Sequence, residues 1–231
     1  MNINLLITGP IRPNINYINY IINYFKKIIN HNVIVFLCYW DNEKIDKTLI
    51  QNVDYLFNEC EPEDKEIYEK ISSRTVQQRE LHPNIEHWTP RIYKMFYGIK
   101  QLINKIDNKS LINDNDIVLR IRTDLYVESC NFKSFNDLLN NIEKHSIYNR
   151  IRIHTCDWFS ISTYDIFKKI WYIENDDNHN EIIKHLYNAE AIITYKSNLN
   201  NVNIVDIKNI INLCLCRKYD DKNNPELQRI K

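Results

Sequence analysis

Only two glycines occur in 231 residues, Gly9 and Gly98. Glycine-rich nucleotide loops need several glycines at fixed offsets, so the scarcity argues against a fingerprint-type dinucleotide site and against a P-loop. The six cysteines (Cys38, Cys60, Cys130, Cys156, Cys214 and Cys216) include no Cys-x-x-Cys pair and no histidine at ligand spacing. Neither a zinc site nor a secreted disulfide framework is expected. Net charge is also missing, with thirty basic residues against thirty acidic ones. The chain thus lacks the basic footprint of a general nucleic-acid binder. No apolar run is long enough to span a bilayer, and the start has no basic region followed by an apolar core. These absences predict a cytoplasmic protein in a reducing compartment. No Pro/Gly/Ser-rich linker divides the chain, which predicts one domain over 1–231 with a charged, frayed tail from about 218.

The most informative stretch present is Asp116–Val127. Ile117, Leu119 and Ile121 alternate with Val118, Arg120 and Arg122, the period-2 signature of a strand. A central α/β strand is covered on both faces, so two guanidinium groups there are costly unless something anionic meets them. The strand ends at Thr123-Asp124, at the carboxyl edge where open α/β sheets bind ligands. Two readings stay open: a site for a phosphorylated ligand, with or without a divalent metal, or an internal Arg–Asp ion pair that fixes the strand end.

Around it the chain alternates. A strand at Ile3–Thr8 stops at Gly9-Pro10, and Ile15, Ile18, Ile22, Phe25 and Ile29 then recur at helical spacing. Further elements are expected as a strand at Val33–Tyr39, a short helix near Glu43–Gln51, a strand at Val53–Asn58 and a helical piece near Asp64–Ser72. A helix over Thr89–Ile106 carries the stripe Ile92, Phe96, Ile99, Ile103 and Ile106, with Pro90 in its first turn. Gly98 in mid-helix points to close approach by a neighbouring backbone or a ligand. Beyond the central strand, the pattern predicts a helix at Ser134–Lys144 and strands at Arg150–His154 and Asp157–Ile161. Ser162-x-x-Asp165 reads as a capping box opening a helix at Tyr164–Tyr172. Helix at Glu181–Asn188, helix end or strand at Ala191–Tyr195, strand at Val202–Ile207 and helix at Lys208–Leu215 complete the chain. This β-α-β alternation predicts an α/β, Rossmann-like fold, a mostly parallel central sheet with helices on both faces.

Several short motifs fall in a telling order: Gly9-Pro10-Ile11-Arg12-Pro13 after the first strand, Trp40-Asp41-Asn42-Glu43 after the second, Arg120-Ile121-Arg122-Thr123-Asp124, and Asp157-Trp158-Phe159. In this order the chain resembles the WavE-like lipopolysaccharide-synthesis glycosyltransferases, a GT-A-type group found in bacteria and encoded by large DNA viruses. The likeness runs from about Asn4 to Glu190. It implies a GT-A-like fold that binds a nucleotide-sugar donor, a UDP- or GDP-sugar, and passes one sugar to a glycan acceptor. A homodimer is compatible with it.

On that resemblance Asp124 matches the acid that holds a divalent cation, Mn²⁺ or Mg²⁺, on the donor diphosphate. Only one carboxylate stands in Arg122-Thr123-Asp124, and Arg120 and Arg122 offer counter-charge in fork geometry suited to phosphate. Gly9, Pro10, Ile11 and Arg12 match the loop beside the nucleotide, although a tight β-α turn alone accounts for Gly9 and Pro10. Trp40 and Asp41 would meet the base or ribose; alternatively Trp40 is core. Lys94, or Arg91, would face the pyrophosphate, or be an ordinary surface charge. Transfer with inversion requires a base on the acceptor hydroxyl. Asp157 and Glu190 are the candidates, each equally readable as a cap or ion-pair partner, with His154 behind them. A GT-A-derived nucleotide- or glycan-binding protein without turnover is the alternative from another class. A phosphoesterase would need more clustered Asp and His.

Overall fold

Aliphatic alternation builds the first strand, and the strand–helix rhythm follows from it. The computed structural model describes residues 1–11, 15–41, 46–65, 85–151, 156–173 and 189–215. Its first elements are β1 (Asn2–Thr8), α1 (Ile15–Ile28), β2 (Asn32–Trp40), a 3-10 turn at Lys47–Leu49, β3 (Tyr55–Glu59) and α2 (Ile85–Asn108). The central part holds β4 (Ile117–Arg122), β5 (Leu125–Cys130), α3 (Phe132–Asn140), β6 (Ser146–Asn149) and β7 (Phe159–Thr163). α4 (Tyr164–Trp171), α5 (Ala189–Leu199), β8 (Asn203–Asp206) and β9 (Ile211–Leu215) follow.

The described strands form a seven-stranded sheet in the order β3-β2-β1-β4-β7-β6-β8. All neighbours are parallel except β7, which runs against both β4 and β6. Period 2 sorts the side chains into two cores. Ile3, Leu5, Ile7, Leu119 and Ile121 meet α1 and α3 on one face, while Leu6, Phe36 and Val118 meet α2, α4 and α5 on the other. The α2 stripe of Ile92, Phe96, Ile99, Ile103 and Ile106 is buried as the spacing predicts. At about 1.5–3 kcal/mol for each such side chain removed from water, this stripe anchors α2 to the sheet. β5 and β9 leave the main sheet as a separate antiparallel ribbon.

Three expectations are corrected. α2 starts at Ile85, so Pro90 lies inside the helix and deprives it of one i→i−4 bond. Ser162 belongs to β7, and the N-cap Thr163 makes no side-chain cap bond. The first N–H groups of α4 are instead taken by backbone carbonyls, Tyr164 by Asp116 and Asp165 by Asp114. The strand expected at Arg150–His154 falls mostly outside the described residues; a strand stands just before it at Ser146–Asn149, and Ile151 forms a bridge. Lys208–Leu215 is a turn and then β9, with Ile211 and Leu213 alternating into the core against β5. Smaller shifts affect α3, which ends at Asn140, and β3, which starts at Tyr55. The expected helix at Glu181–Asn188, most of that at Asp64–Ser72, and the tail lie outside the described residues; of the helix expected near Glu43–Gln51, the described part holds only the 3-10 turn at Lys47–Leu49.

Glycine scarcity has a visible effect on helix ends. After α2 the N–H of Leu111 bonds the Ile106 carbonyl and that of Ser110 bonds Asp107, and Ser110 sits at φ +50°. After α5, Val202 bonds Ser197, Asn201 bonds Asn198, and Asn201 sits at φ +52°. Both are Schellman closures in which a non-glycine residue occupies the left-handed position. Ser110→Gly is therefore expected to stabilise the protein by about 1 kcal/mol, a rise of about 2–4 °C in melting temperature. Gly98 answers to a different constraint. A Cβ built there lies 3.2 Å from Trp40 Cη2. Gly98→Leu should cost about 1–3 kcal/mol by overpacking, and Trp40→Leu in the same chain should recover part of it in thermal melts.

Candidate active site at the carboxyl edge

β1, β2, β3 and β4 are parallel and end at one edge of the sheet; β7 is reversed and therefore begins there. Chain direction alone thus brings Gly9-Pro10, Arg122-Thr123-Asp124 and Asp157 to the same side. The centre of this edge is Arg122. Its Nε donates to Asp124 Oδ1 at 3.0 Å and its Nη2 to Oδ2 at 2.9 Å, a bidentate fork. Its Nη1 lies 3.5 Å from Asp157 Oδ2. Burial pulls the Arg122 pKa down, but Asp124 and Asp157 more than offset this and raise it.

The surrounding backbone is tied to this group. Thr123 Oγ1 donates to the Pro10 carbonyl, joining the first loop to the end of β4. Gly9 adopts φ +123°, and its N–H reaches the Cys38 carbonyl at 3.3 Å, so the turn itself requires glycine. Asn149, fully buried, donates from Nδ2 to the Cys156 carbonyl at 2.8 Å. That bond fixes the chain immediately before Asp157. Thr123 and Asn149 are the positioning residues that spacing in the sequence did not single out. Asn149 follows a short strand in a chain rich in asparagine and carries no local signature.

Arg120 lies one strand step deeper, with no solvent exposure. Its Nη1 donates to the Asp157 carbonyl, and its Cζ sits 4.3 Å from the centre of the Trp171 ring. Desolvation lowers its pKa to about 10, partly opposed by Asp157. Glu190 stands in the first turn of α5 and is half-buried. Burial raises the Cys156 thiol to about 12, with Asp157 and Glu190 adding to the rise and Arg120 opposing it. Glu190 therefore lies within electrostatic reach of the same few residues.

The other predicted residues sit elsewhere. Trp40 takes the core position, 5% exposed, against Gly98 and stacked with Tyr97 at 6.4 Å. Asp41 accepts from Asn58 Nδ2 and from Cys60 Sγ. Lys94 is held by Glu61 at 2.9 Å and Asp64 at 2.7 Å; burial lowers its pKa, and those two acids raise it overall. Ile11 packs beside the first core, and Arg91 is exposed. Arg12 and His154 lie outside the described residues.

The donor set does not fit a resident divalent cation. Both oxygens of Asp124 already accept from Arg122, and Asp157 faces the same guanidinium. No group of three or more Asp, Glu, His or Cys able to hold a metal occurs among the described residues. A hard cation seeks six or more oxygen ligands, so one here would have to displace Arg122 and draw most of its shell from a ligand and water.

No family model matches the chain, and no curated protein matches it. Among solved structures it is similar to 4-diphosphocytidyl-2C-methyl-D-erythritol synthase, with a TM-score of 0.53 and 8% identity over 98% of this chain and 99% of that one. It also matches a protein described as a nucleotide-diphospho-sugar transferase, from Desulfovibrio desulfuricans, at TM-score 0.47 and 7% identity, covering 89% and 79% of the two chains. A third match is mouse xyloside xylosyltransferase 1, at TM-score 0.33 and 6% identity over 88% and 77%. At these identities the first likeness is one of fold, and it agrees with the mostly parallel α/β architecture.

The clamp at Asn149 yields a test. Asn149→Ala leaves the buried Cys156 carbonyl and the Arg150 N–H without partners and should cost about 1–3 kcal/mol. Hydrogen exchange should quicken first at the start of β7, next to Asp157, before any change at β1.

Proposed function

We propose that the chain is a nucleotide-sugar-dependent glycosyltransferase of the GT-A, WavE-like type that transfers one sugar from a UDP- or GDP-sugar to a glycan acceptor in surface or virion polysaccharide synthesis. The observation that carries this reading is the Arg122–Asp124–Asp157 group beside the Gly9-Pro10 turn at the carboxyl edge. A diphosphate at that edge would exchange with Asp124 for the Arg122 fork, since both present paired oxygens. As the acceptor oxygen bonds to the anomeric carbon and the bond to the diphosphate breaks, negative charge grows on the leaving oxygen, where a guanidinium lowers its energy. Asp157 is the proposed base for the acceptor proton. Its contact with Arg122 is long, at 3.5 Å, which leaves it acceptor capacity. Glu190 is the second candidate. No step is assigned to a metal ion.

The fork itself favours a second reading, a nucleotide- or glycan-binding protein without turnover, because Asp124 is fully engaged with Arg122. Thermal melts with nucleoside diphosphates and nucleotide sugars, each with and without Mn²⁺ or Mg²⁺, identify the donor, and turnover assays on that donor separate the two. A ligand at about 100 times its Kd should stabilise the native state by about 2.7 kcal/mol. Arg122→Met should abolish donor turnover in a folded protein. Asp157→Asn should lower kcat by about 10²–10⁴-fold while leaving donor binding nearly unchanged. Donor binding with no hydrolysis or transfer to any glycan would select the non-catalytic reading; unaltered turnover in Arg122→Met would remove the site assignment.

A further inference from the structure

The contacts of Arg122 show what an arginine at this position of the fold binds through its Nε–Nη2 edge: two carboxylate oxygens at 3.0 and 2.9 Å. Arg120 presents the same edge with nothing on it. Its Nε and Nη2 are both buried without a hydrogen-bond partner, while Nη1 alone is satisfied by the Asp157 carbonyl. A guanidinium N–H buried and unpaired is expensive, and a side chain with two of them is rare.

The surroundings share this property. In the β4–β7 ladder Arg120 stands directly opposite Ser160, and Val118 opposite Ser162, so both serines lie on the Arg120 face of the sheet. The hydroxyls of Ser160 and Ser162 and the indole N–H of Trp171 are all buried without partners. Elsewhere that face is packed with bulky groups such as Phe167, Ile170 and Ile193. Here β7 contributes two small side chains in succession. The unmet groups comprise three donor nitrogens and two hydroxyls that can donate. Such a set is complementary to a ligand that only accepts.

We infer that the Nε–Nη2 edge of Arg120, with Ser160, Ser162 and the Trp171 indole, is a built internal site for an oxyanion with two adjacent oxygens, a carboxylate or a phosphoryl group. The site lies one strand step deeper than Arg122 on the same face of β4, and the 3.5 Å Arg122–Asp157 contact is the longest in the cluster at the edge. The assignment does not rest on sugar transfer: it holds for a free anion and for an anionic group carried by a larger ligand.

The test uses the full chain with inorganic phosphate and acetate as probes, against chloride at matched ionic strength. Phosphate or acetate should raise the melting temperature saturably, with one equivalent bound by calorimetry, and chloride should not. Arg120→Met should melt at or above the wild-type temperature without anion and lose the saturable rise. Arg120→Lys, which keeps the charge but not the fork, should bind at least ten-fold more weakly, and Ser160→Ala should weaken binding while folding normally. Competition between phosphate and UDP for one site would identify the oxyanion as the nucleotide's phosphoryl group; independent binding would identify a separate anion. A saturable rise of wild-type size in Arg120→Met or in Arg120→Lys would overturn the assignment. So would a wild-type protein that binds neither phosphate nor acetate.

Discussion

Two positive charges on a central strand constrain everything around them. β4 is covered by helices on both faces, yet it carries Arg120 and Arg122 on one of them. Removing a guanidinium from water is unfavourable by several kcal/mol after relaxation, and only hydrogen bonds or opposite charge recover it. The protein meets this fully at one position and only in part at the other. Arg122, near the edge, receives two carboxylates. Arg120, deeper, receives one carbonyl and the face of Trp171. The turn at Thr123-Asp124, the reversal of β7 and the anchoring of Asp157 by Asn149 are the parts of the fold that make those partners available.

Much of this arrangement was legible in the sequence because it rests on periodicity. The alternation of Ile117, Leu119 and Ile121 with Val118, Arg120 and Arg122 gave the strand, its two faces and its end. The β-α-β rhythm gave the parallel sheet, and the stripe from Ile92 to Ile106 gave the buried face of α2. What was not legible depends on partners distant in the chain. Ser162-x-x-Asp165 has the letters of a capping box, but the carbonyls of Asp114 and Asp116 reach the helix start first. Ile210-Ile211-Asn212-Leu213 suits a helix or a strand locally, and pairing with β5 decides for the strand.

Within the site the same division holds. Asp124 and Arg122 are two residues apart, so their pairing was one of two readings available from spacing. Lys94 was assigned from the family resemblance, with an ordinary surface charge as the alternative, and neither reveals that Glu61 and Asp64 reach it. Gly98 signalled a close approach, expected from a backbone or a ligand; the approaching group is instead the Trp40 ring, from a strand 58 positions away in the chain. The scarcity of glycine read only as an exclusion in the sequence. In the fold it means that Ser110 and Asn201 hold left-handed positions that glycine would occupy without strain.

The reversal of β7 also sets the electrostatic polarity of the edge. In a wholly parallel sheet the helices start beside the carboxyl ends of the strands and turn their positive poles toward a bound anion. α4 follows β7 without a loop and starts at the opposite edge, where Asp114 and Asp116 receive it. Its last residue, Trp171, is the one that touches Arg120. The helix therefore turns its negative pole, equivalent to roughly half an elementary charge, toward the guanidinium. This steadies Arg120 when nothing else is bound, and it opposes any anion that approaches. An antiparallel strand in this place exchanges the positive field of a backbone for that of a side chain, which a single neutral substitution can switch off.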